Sequence, residues 1–169
     1  MKRLQLGVFT LTAAILVLLT GCATIQDKVS GKVSEGIVDK AVGGKVDVTK
    51  DGIKVQKDGT SIESGSDLMW PKSAMGDLPE PKAKFIGIIN GNVTAGCTVV
   101  LSEMSLDDAQ SYVDKLKSLG YKDGLIFSDD DALSYAGKNT ANDMAMISYK
   151  ISSKEGTIQY TPANANKSS

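Results

Sequence analysis

Short segments in which apolar and polar residues alternate recur along this chain of 169 residues and narrow the secondary structure that it can form. One such segment has Ala145, Ile147, Tyr149 and Ile151 at every second position. Side chains two residues apart lie on the same face of a β-strand, so this segment is expected to bury one face and expose the other. The alternation therefore predicts an antiparallel sheet with one hydrophobic face.

Residues 45–66 contain a small internal repeat, in which two alternating segments each end in Asp-Gly. Asp-Gly between alternating segments is typical of a tight β-hairpin turn. We predict three short strands in a meander, with one shared apolar face made of Val46, Val48, Ile53, Val55 and Ile62. A sheet of this size needs a cover for that face, and either the preceding segment or the following domain is expected to provide it.

Residues 67–84 contain three prolines, which disfavour both a helix and a central strand. The segment is therefore predicted to be an extended connector. It holds Trp70, the only tryptophan of the chain. Because an indole buries a large area, Trp70 is predicted to be a packing anchor that fixes the connector to the main domain. The alternative is that Trp70 is an exposed aromatic surface for a ligand or partner.

Residues 85–161 are predicted to form the main globular domain, with strands and one helix in the order ββαββββ. Ser105 is expected to cap the helix, with Asp108 three residues later and Gly120 after its end. The apolar stripe of this helix is expected to contain Ala109, Tyr112, Val113, Leu116 and Leu119. The predicted fold class is α+β: an antiparallel sheet with one packed helix, preceded by a short helix and a small β-meander. Residues 162–169 are predicted to be a disordered tail.

The N-terminal residues have the pattern of a secretory signal peptide. Lys2 and Arg3 precede an apolar run over residues 4–19, which is shorter than the roughly 18 to 20 residues of a membrane-spanning helix. The run ends in Leu19-Thr20-Gly21-Cys22 and resembles the lipobox of bacterial lipoproteins. The resemblance implies that residues 1–21 are removed and that the Cys22 thiol receives diacylglycerol, usually with a further acyl chain such as palmitate on the new amino group.

Two or more acyl chains anchor a protein stably, at about 0.8 kcal/mol per buried methylene. We therefore expect a lipid-anchored protein on the extracytoplasmic face of the cell membrane, or on the outer membrane of an envelope with two membranes. Residues 22–44 are then expected to be a lipidated tether. Apolar residues at every fourth position from Ile25 to Ala41 favour a helix there, although two glycines weaken it.

Several short motifs together resemble a family of small uncharacterised bacterial lipoproteins. They are Gly-Gly-x-Val with its Asp-Gly turns, Trp-Pro followed by Leu-Pro-x-Pro, and Leu-Gly-Tyr at residues 119–121 after the helix. The turn at residues 139–143 lacks the glycine that this family usually has. The resemblance covers nearly all of the chain after Cys22. It implies the cellular location and a C-terminal α+β domain of unknown function, and it names no reaction.

The charges and side-chain chemistry favour binding over catalysis. The chain has 19 basic and 20 acidic residues, a net charge of -1 and no histidine, so neither nucleic-acid capture nor a histidine base or metal ligand is expected. Cys97 lies in an apolar segment and is predicted to be a buried small hydrophobe. The cluster Asp129–Asp131 lacks the spacing of a calcium loop and is predicted to be a solvated turn. No cofactor and no metal are expected.

We therefore predict a protein that is not an enzyme but a binding or interaction module of the cell envelope. Its partner is expected to be an envelope protein or an extracellular ligand. Two alternatives stay open: a structural or accessory subunit of an envelope complex, and a hydrolase with an unrecognised carboxylate site. A deep aromatic groove at Trp70 would favour a ligand, whereas a flat apolar patch of several hundred Å² would favour a protein partner.

Overall fold

The computed structural model describes residues 43–91 and 96–163. It is 49% strand and 12% helix. In chain order, the strands are β1 (Lys45–Thr49), β2 (Gly52–Lys57), β3 (Thr60–Gly65), β4 (Lys84–Asn90), β5 (Cys97–Ser102), β6 (Lys122–Ser128), β7 (Ala132–Lys138), β8 (Met144–Lys150) and β9 (Glu155–Thr161). The helix of this part of the chain, α1 (Leu106–Ser118), lies between β5 and β6.

All nine strands form one antiparallel sheet in the order β1-β2-β3-β4-β5-β9-β8-β7-β6. After β5, the chain crosses through α1 to the far edge of the sheet. It then returns strand by strand until β9 pairs with β5. As a consequence, β1 and β6 are the two edge strands of the sheet.

The predicted fold class, an α+β domain of order ββαββββ preceded by a short helix and a small β-meander, is wrong. The meander continues the main sheet, because β3 pairs with β4 from Ser61 opposite Asn90 to Ser64 opposite Gly87. The described part of the chain is therefore a β-rich fold, a nine-stranded sheet with a single helix. The predicted helix within residues 23–44 lies, except for Gly43 and Gly44, outside the described residues.

The apolar positions of the two halves of the sheet lie on opposite faces. Val99 pairs with Ile158 on the face that α1 covers, and both side chains are fully buried. Ile62, Ile89 and Thr98 are paired in turn across β3, β4 and β5, and all three lie on the opposite face. The five predicted apolar residues of the meander do share one face, as expected, but it is the face opposite α1. Backbone pairing does not depend on which face is apolar, so the two halves still join.

The helix begins and packs as its sequence predicts, with one exception. The Ser105 hydroxyl accepts a hydrogen bond from the backbone N–H of Asp108 at 3.1 Å, which confirms the predicted cap. Four residues of the predicted stripe are buried against β7 and β8: Ala109, Tyr112, Val113 and Leu116. Leu119 is exposed instead, because the helix ends at Ser118 and the chain turns away through Gly120 at a positive φ of 88°.

Residues 66–83, between β3 and β4, are a second cover for the same face. A 13-residue helix is only about 20 Å long, whereas nine strands span about 40 Å. Met75 and Leu78 fill part of the remaining width and are buried in the same core as α1. Gly76, at a φ of 56°, lies so close to the ring of Tyr160 in β9 that a Cβ would come within 2.6 Å of it.

Two adjacent valines of β5 test which face of the sheet is the core. Val99 points to α1 and is fully buried, whereas Val100 is half-buried on the other face. We expect Val99→Ala to lower the free energy of unfolding by about 2 kcal/mol and Val100→Ala by less than about 1 kcal/mol. Urea unfolding of both variants measures the difference. Equal losses would contradict the assignment of the core to one face.

Candidate functional site

The face of the sheet opposite α1, called the open face here, carries two rows of residues that cross all nine strands. The first row is Val48, Ile53, Ser64, Gly87, Val100, Thr157, Ser148, Ser134 and Phe127. The second is Val46, Val55, Ile62, Ile89, Thr98, Gln159, Met146, Ala136 and Leu125. None of these residues is charged. From ordinary strand spacings, the rows span roughly 40 Å by 13 Å.

The chemistry of the open face changes along the rows. At β1 and β2 the side chains are aliphatic, and Val48 and Ile53 are exposed there while Val46 is buried. Across β5, β9, β8 and β7 the rows carry mainly hydroxyl, amide and small apolar groups. At β6 the side chains are large and apolar again, with Leu125 and Phe127 both exposed. The open face is therefore mostly apolar at its two ends and mildly polar in its middle.

A shallow concavity of 460 Å³ lies in the mildly polar middle of the open face. Ser134 and Ser148 face each other across β7 and β8, with their hydroxyl oxygens 3.1 Å apart. Val100 and Thr157 continue the lining on β5 and β9. These hydroxyl groups can donate or accept hydrogen bonds, so they can adapt to either kind of polar group on a partner.

Charged residues lie beside the rows and not within them. Asp131, Lys150 and Glu155 line one end of the concavity, and the Lys150 ammonium nitrogen is 3.8 Å from a carboxylate oxygen of Asp131. Hydrogen bonds from Ser152, and more weakly the charge of Lys150, hold the pKa of Asp131 below its usual range. Lys54 and Glu63 form an ion pair, with the ammonium nitrogen 2.7 Å from a carboxylate oxygen, and the strand register places both residues on the α1 side of the sheet. A partner can therefore cover the rows without desolvating a buried charge.

The structure places Trp70 as a packing residue. Its ring is half-buried and lies 5.7 Å from that of Phe85, and it packs against the hydrophobic core. The indole N–H is buried and has no hydrogen-bond partner among the described residues. These contacts fit the predicted anchor better than the alternative of an exposed surface for a ligand.

Cys97 is buried as predicted, with 1% of its surface exposed. Burial raises the pKa of its thiol to about 11. The thiol is therefore protonated at neutral pH and is a poor nucleophile, since the thiolate is the reactive form.

The three aspartates Asp129–Asp131 are exposed, which confirms the predicted solvated turn. A carboxylate oxygen of Asp129 accepts hydrogen bonds from the backbone N–H groups of Asp131 at 2.9 Å and Ala132 at 2.7 Å. The carboxylate thus closes the β6–β7 hairpin. Within residues 43–91 and 96–163, no three His, Cys, Asp or Glu side chains come together as metal ligands would.

A cluster of tyrosine and carboxylate groups near the end of β9 bears on the hydrolase alternative. Asp143 accepts hydrogen bonds from the side-chain amide of Asn139 at 3.1 Å and from the backbone N–H of Ala163 at 2.8 Å. Burial, with the nearby Tyr160, raises the pKa of Tyr121 to about 12, and burial also raises that of Tyr160. The phenols of Tyr121 and Tyr160 are therefore protonated at neutral pH. The Asp143 carboxylate is occupied by its hydrogen bonds to the turn at Asn139 and to Ala163.

The sequence did not predict the open face as a site, although it assigned most of the strands. A signal was present: the positions that alternate with the core positions in β5, β7, β8 and β9 are mostly Ser, Thr, Gln, Ala and Met instead of charged residues. The predicted lipidation residue, Cys22, lies outside the described residues, as do the lipobox and the signal peptide.

Comparisons with protein-family models, with curated proteins and with solved structures find no match to this chain. In the part of the chain that the structure describes, the single helix falls short of the length and apolar character needed to cross a membrane.

Trp70 and its neighbour Met69 provide a matched test of the anchor, because Met69 is 82% exposed. We expect Trp70→Ala to lower the free energy of unfolding by roughly 2 to 3 kcal/mol, since it removes the contact with Phe85 and the core. Met69→Ala should change it by less than about 0.5 kcal/mol. Thermal unfolding measures both, and an unchanged Tm for Trp70→Ala would contradict the packing role.

Proposed function

We propose that this chain is a lipid-anchored protein of the bacterial cell envelope that binds another envelope protein through its open face, without catalysis. The observation that carries the proposal is the pair of uncharged rows across all nine strands. A broad uncharged strip of a sheet face, without described cover, is costly to expose unless a partner covers it.

The shape of the open face favours a protein over a small ligand. Small-molecule sites are usually deep and bury most of the ligand, whereas the concavity at Ser134 and Ser148 is shallow. The rows cover roughly 500 Å², about two thirds of the roughly 800 Å² that each partner contributes to a standard protein–protein interface. The mixture of aliphatic ends and a hydroxyl-rich middle matches the apolar and hydrogen-bonding contacts of such interfaces.

The proposed location rests on the N-terminal sequence. The signal-like run before Cys22 supports export and lipid attachment, and residues 23–44 would separate the anchor from β1. In this arrangement diacylglycerol on Cys22 holds the chain on the extracytoplasmic face of a membrane. The resemblance to small bacterial lipoproteins supports the same location and adds no activity.

An accessory subunit of an envelope complex would use the same surface and is a special case of this proposal. The hydrolase alternative has weaker support. The chain has no histidine, the thiol of Cys97 is buried, and no acidic side chain is buried among the described residues. The two rows of the open face carry no acid or base, and the charged groups that line the concavity, Asp131, Lys150 and Glu155, are not buried, so the chemistry of this face supports recognition.

The two cysteines of the chain provide a matched test of the anchor. We expect Cys22→Ala to abolish metabolic labelling of the chain with palmitate and to release it from the membrane fraction. Cys97→Ala should keep both properties, because the Cys97 thiol is buried in the sheet and is not part of the lipobox. Continued labelling of the Cys22→Ala variant would refute the lipid anchor.

Site-specific photocrosslinking on intact cells tests the binding face. We expect a photoreactive phenylalanine analogue in place of Thr98, in the middle of the second row, to give a covalent adduct with another protein. The same analogue at the exposed helix residue Ser118 should not. Adding Ser148→Lys should remove the adduct at position 98 while Tm changes little, because it places a charge in the face. Equal adduct yields from positions 98 and 118 would contradict the proposal.

A further inference from the structure

The edge strand β6 exposes three consecutive apolar side chains. Leu125, Ile126 and Phe127 are 84%, 58% and 59% exposed. Leu125 and Phe127 lie on the open face, opposite Ala136 and Ser134, whereas Ile126 lies on the α1 side, opposite Tyr135. Because apolar groups extend from both faces of the edge, an added strand would bury side chains on each of its two sides.

The backbone of β6 is also available for pairing on the side away from β7. Asp129 donates its backbone N–H to the carbonyl of Ala132 at 3.0 Å, which closes the hairpin. Hydrogen bonds alternate along an antiparallel pair, so the N–H and C=O groups of Ile126 and Ser128 point away from β7. An edge of this kind is normally blocked by charges, proline or a β-bulge. Residues 125–128 contain no charge and no proline, and the irregularity in the β6–β7 register lies before them, between Lys122 and Leu125.

The two ends of the β6–β7 hairpin carry opposite charges. At one end Lys122 and Lys138 are paired across the strands and both are exposed, with Asp123 next to Lys122 in the sequence, so this end has a net charge of +1. At the other end lies the exposed acidic turn Asp129–Asp131. An antiparallel neighbour of the same sequence would bring each acidic turn to the lysine end of the other copy. A parallel neighbour would bring like charges together.

We propose that β6 pairs antiparallel with β6 of a second copy of this chain, about a twofold axis at Ile126. Because the axis is perpendicular to the sheet, the open faces of the two copies lie on the same side. Leu125 of each copy then lies opposite Phe127 of the other. The outward N–H and C=O groups of the two Ile126 residues bond to each other. In this register Asp130 of one copy lies opposite Lys122 of the other, and Asp129 lies opposite Asp123. Moving the axis by one residue would instead set either Leu125 or Phe127 opposite an aspartate.

The same pairing extends the open face across both copies. The first row ends at Phe127 and the second at Leu125, and the twofold register joins each row to the other row of the partner copy. Nine strands become eighteen, and the uncharged face doubles in length. The inference rests on the β6 edge and not on the proposed function, but it would give that function a larger surface.

Disulfide crosslinking in membranes tests both the partner and the register. Two differently tagged full chains, one L125C and one F127C, are expressed together and oxidised. We expect a mixed disulfide between them, because residues in a non-hydrogen-bonded pair lie close enough for a disulfide. Cells with L125C alone should give no disulfide-linked dimer, and V48C on the opposite edge strand β1, where Val48 is 43% exposed, should give none either.

A second variant separates this inference from the proposed function. Ile126→Lys puts a charge on the α1 side of the edge and leaves the open face unchanged, so it should abolish the mixed disulfide while the photocrosslink at position 98 is kept. Four results would overturn the dimer: no mixed disulfide, equal dimers from L125C alone or from V48C, a disulfide adduct only with another protein, or a mixed disulfide that persists with Ile126→Lys.

Discussion

Backbone hydrogen bonds between β3 and β4 join two amphipathic groups of strands whose apolar sides lie on opposite faces. The remaining features of the structure depend on this junction. On one face, α1 and residues 66–83 bury a single core that contains Val99, Ile147 and Ile158. On the other, the aliphatic side of β1–β3 runs directly into the hydroxyl and amide groups of β5, β9, β8 and β7. A continuous uncharged surface results, which neither group of strands would form alone.

The distribution of charged residues makes this surface suitable for binding a partner. Carboxylates and ammonium groups lie in turns, at strand ends and on the α1 side of the meander, where they stay in water. Dehydrating a charge costs several kcal/mol, whereas dehydrating the hydroxyls of Ser134 or Thr157 costs less and is offset by new hydrogen bonds. A partner that covers the open face therefore gains the burial of apolar side chains without losing the hydration of ions.

Local sequence signals predicted much of the secondary structure. The period of two identified the meander face and the alternation in β8, and Ser105 with Asp108 identified the start of α1. The pairing of β3 with β4 could not be predicted in the same way, since it joins segments separated by the 66–83 connector and depends on backbone register. The two rows could not be predicted for the same reason. Val48 and Phe127 can be assigned to one row only when the register of every strand between them is known. Leu119 followed the helical period but lies past the last turn of α1.

The central claim is that another molecule covers the open face in the cell, and its most direct measurement is cysteine protection on intact cells. Single cysteines at Thr98 and Gln159 on the open face, and at Ser118 on α1, are each labelled with a membrane-impermeant maleimide before and after purification of the chain. We expect positions 98 and 159 to be protected in cells and to react after purification, while position 118 reacts equally in both. Equal labelling of positions 98 and 159 in cells and after purification would contradict this claim.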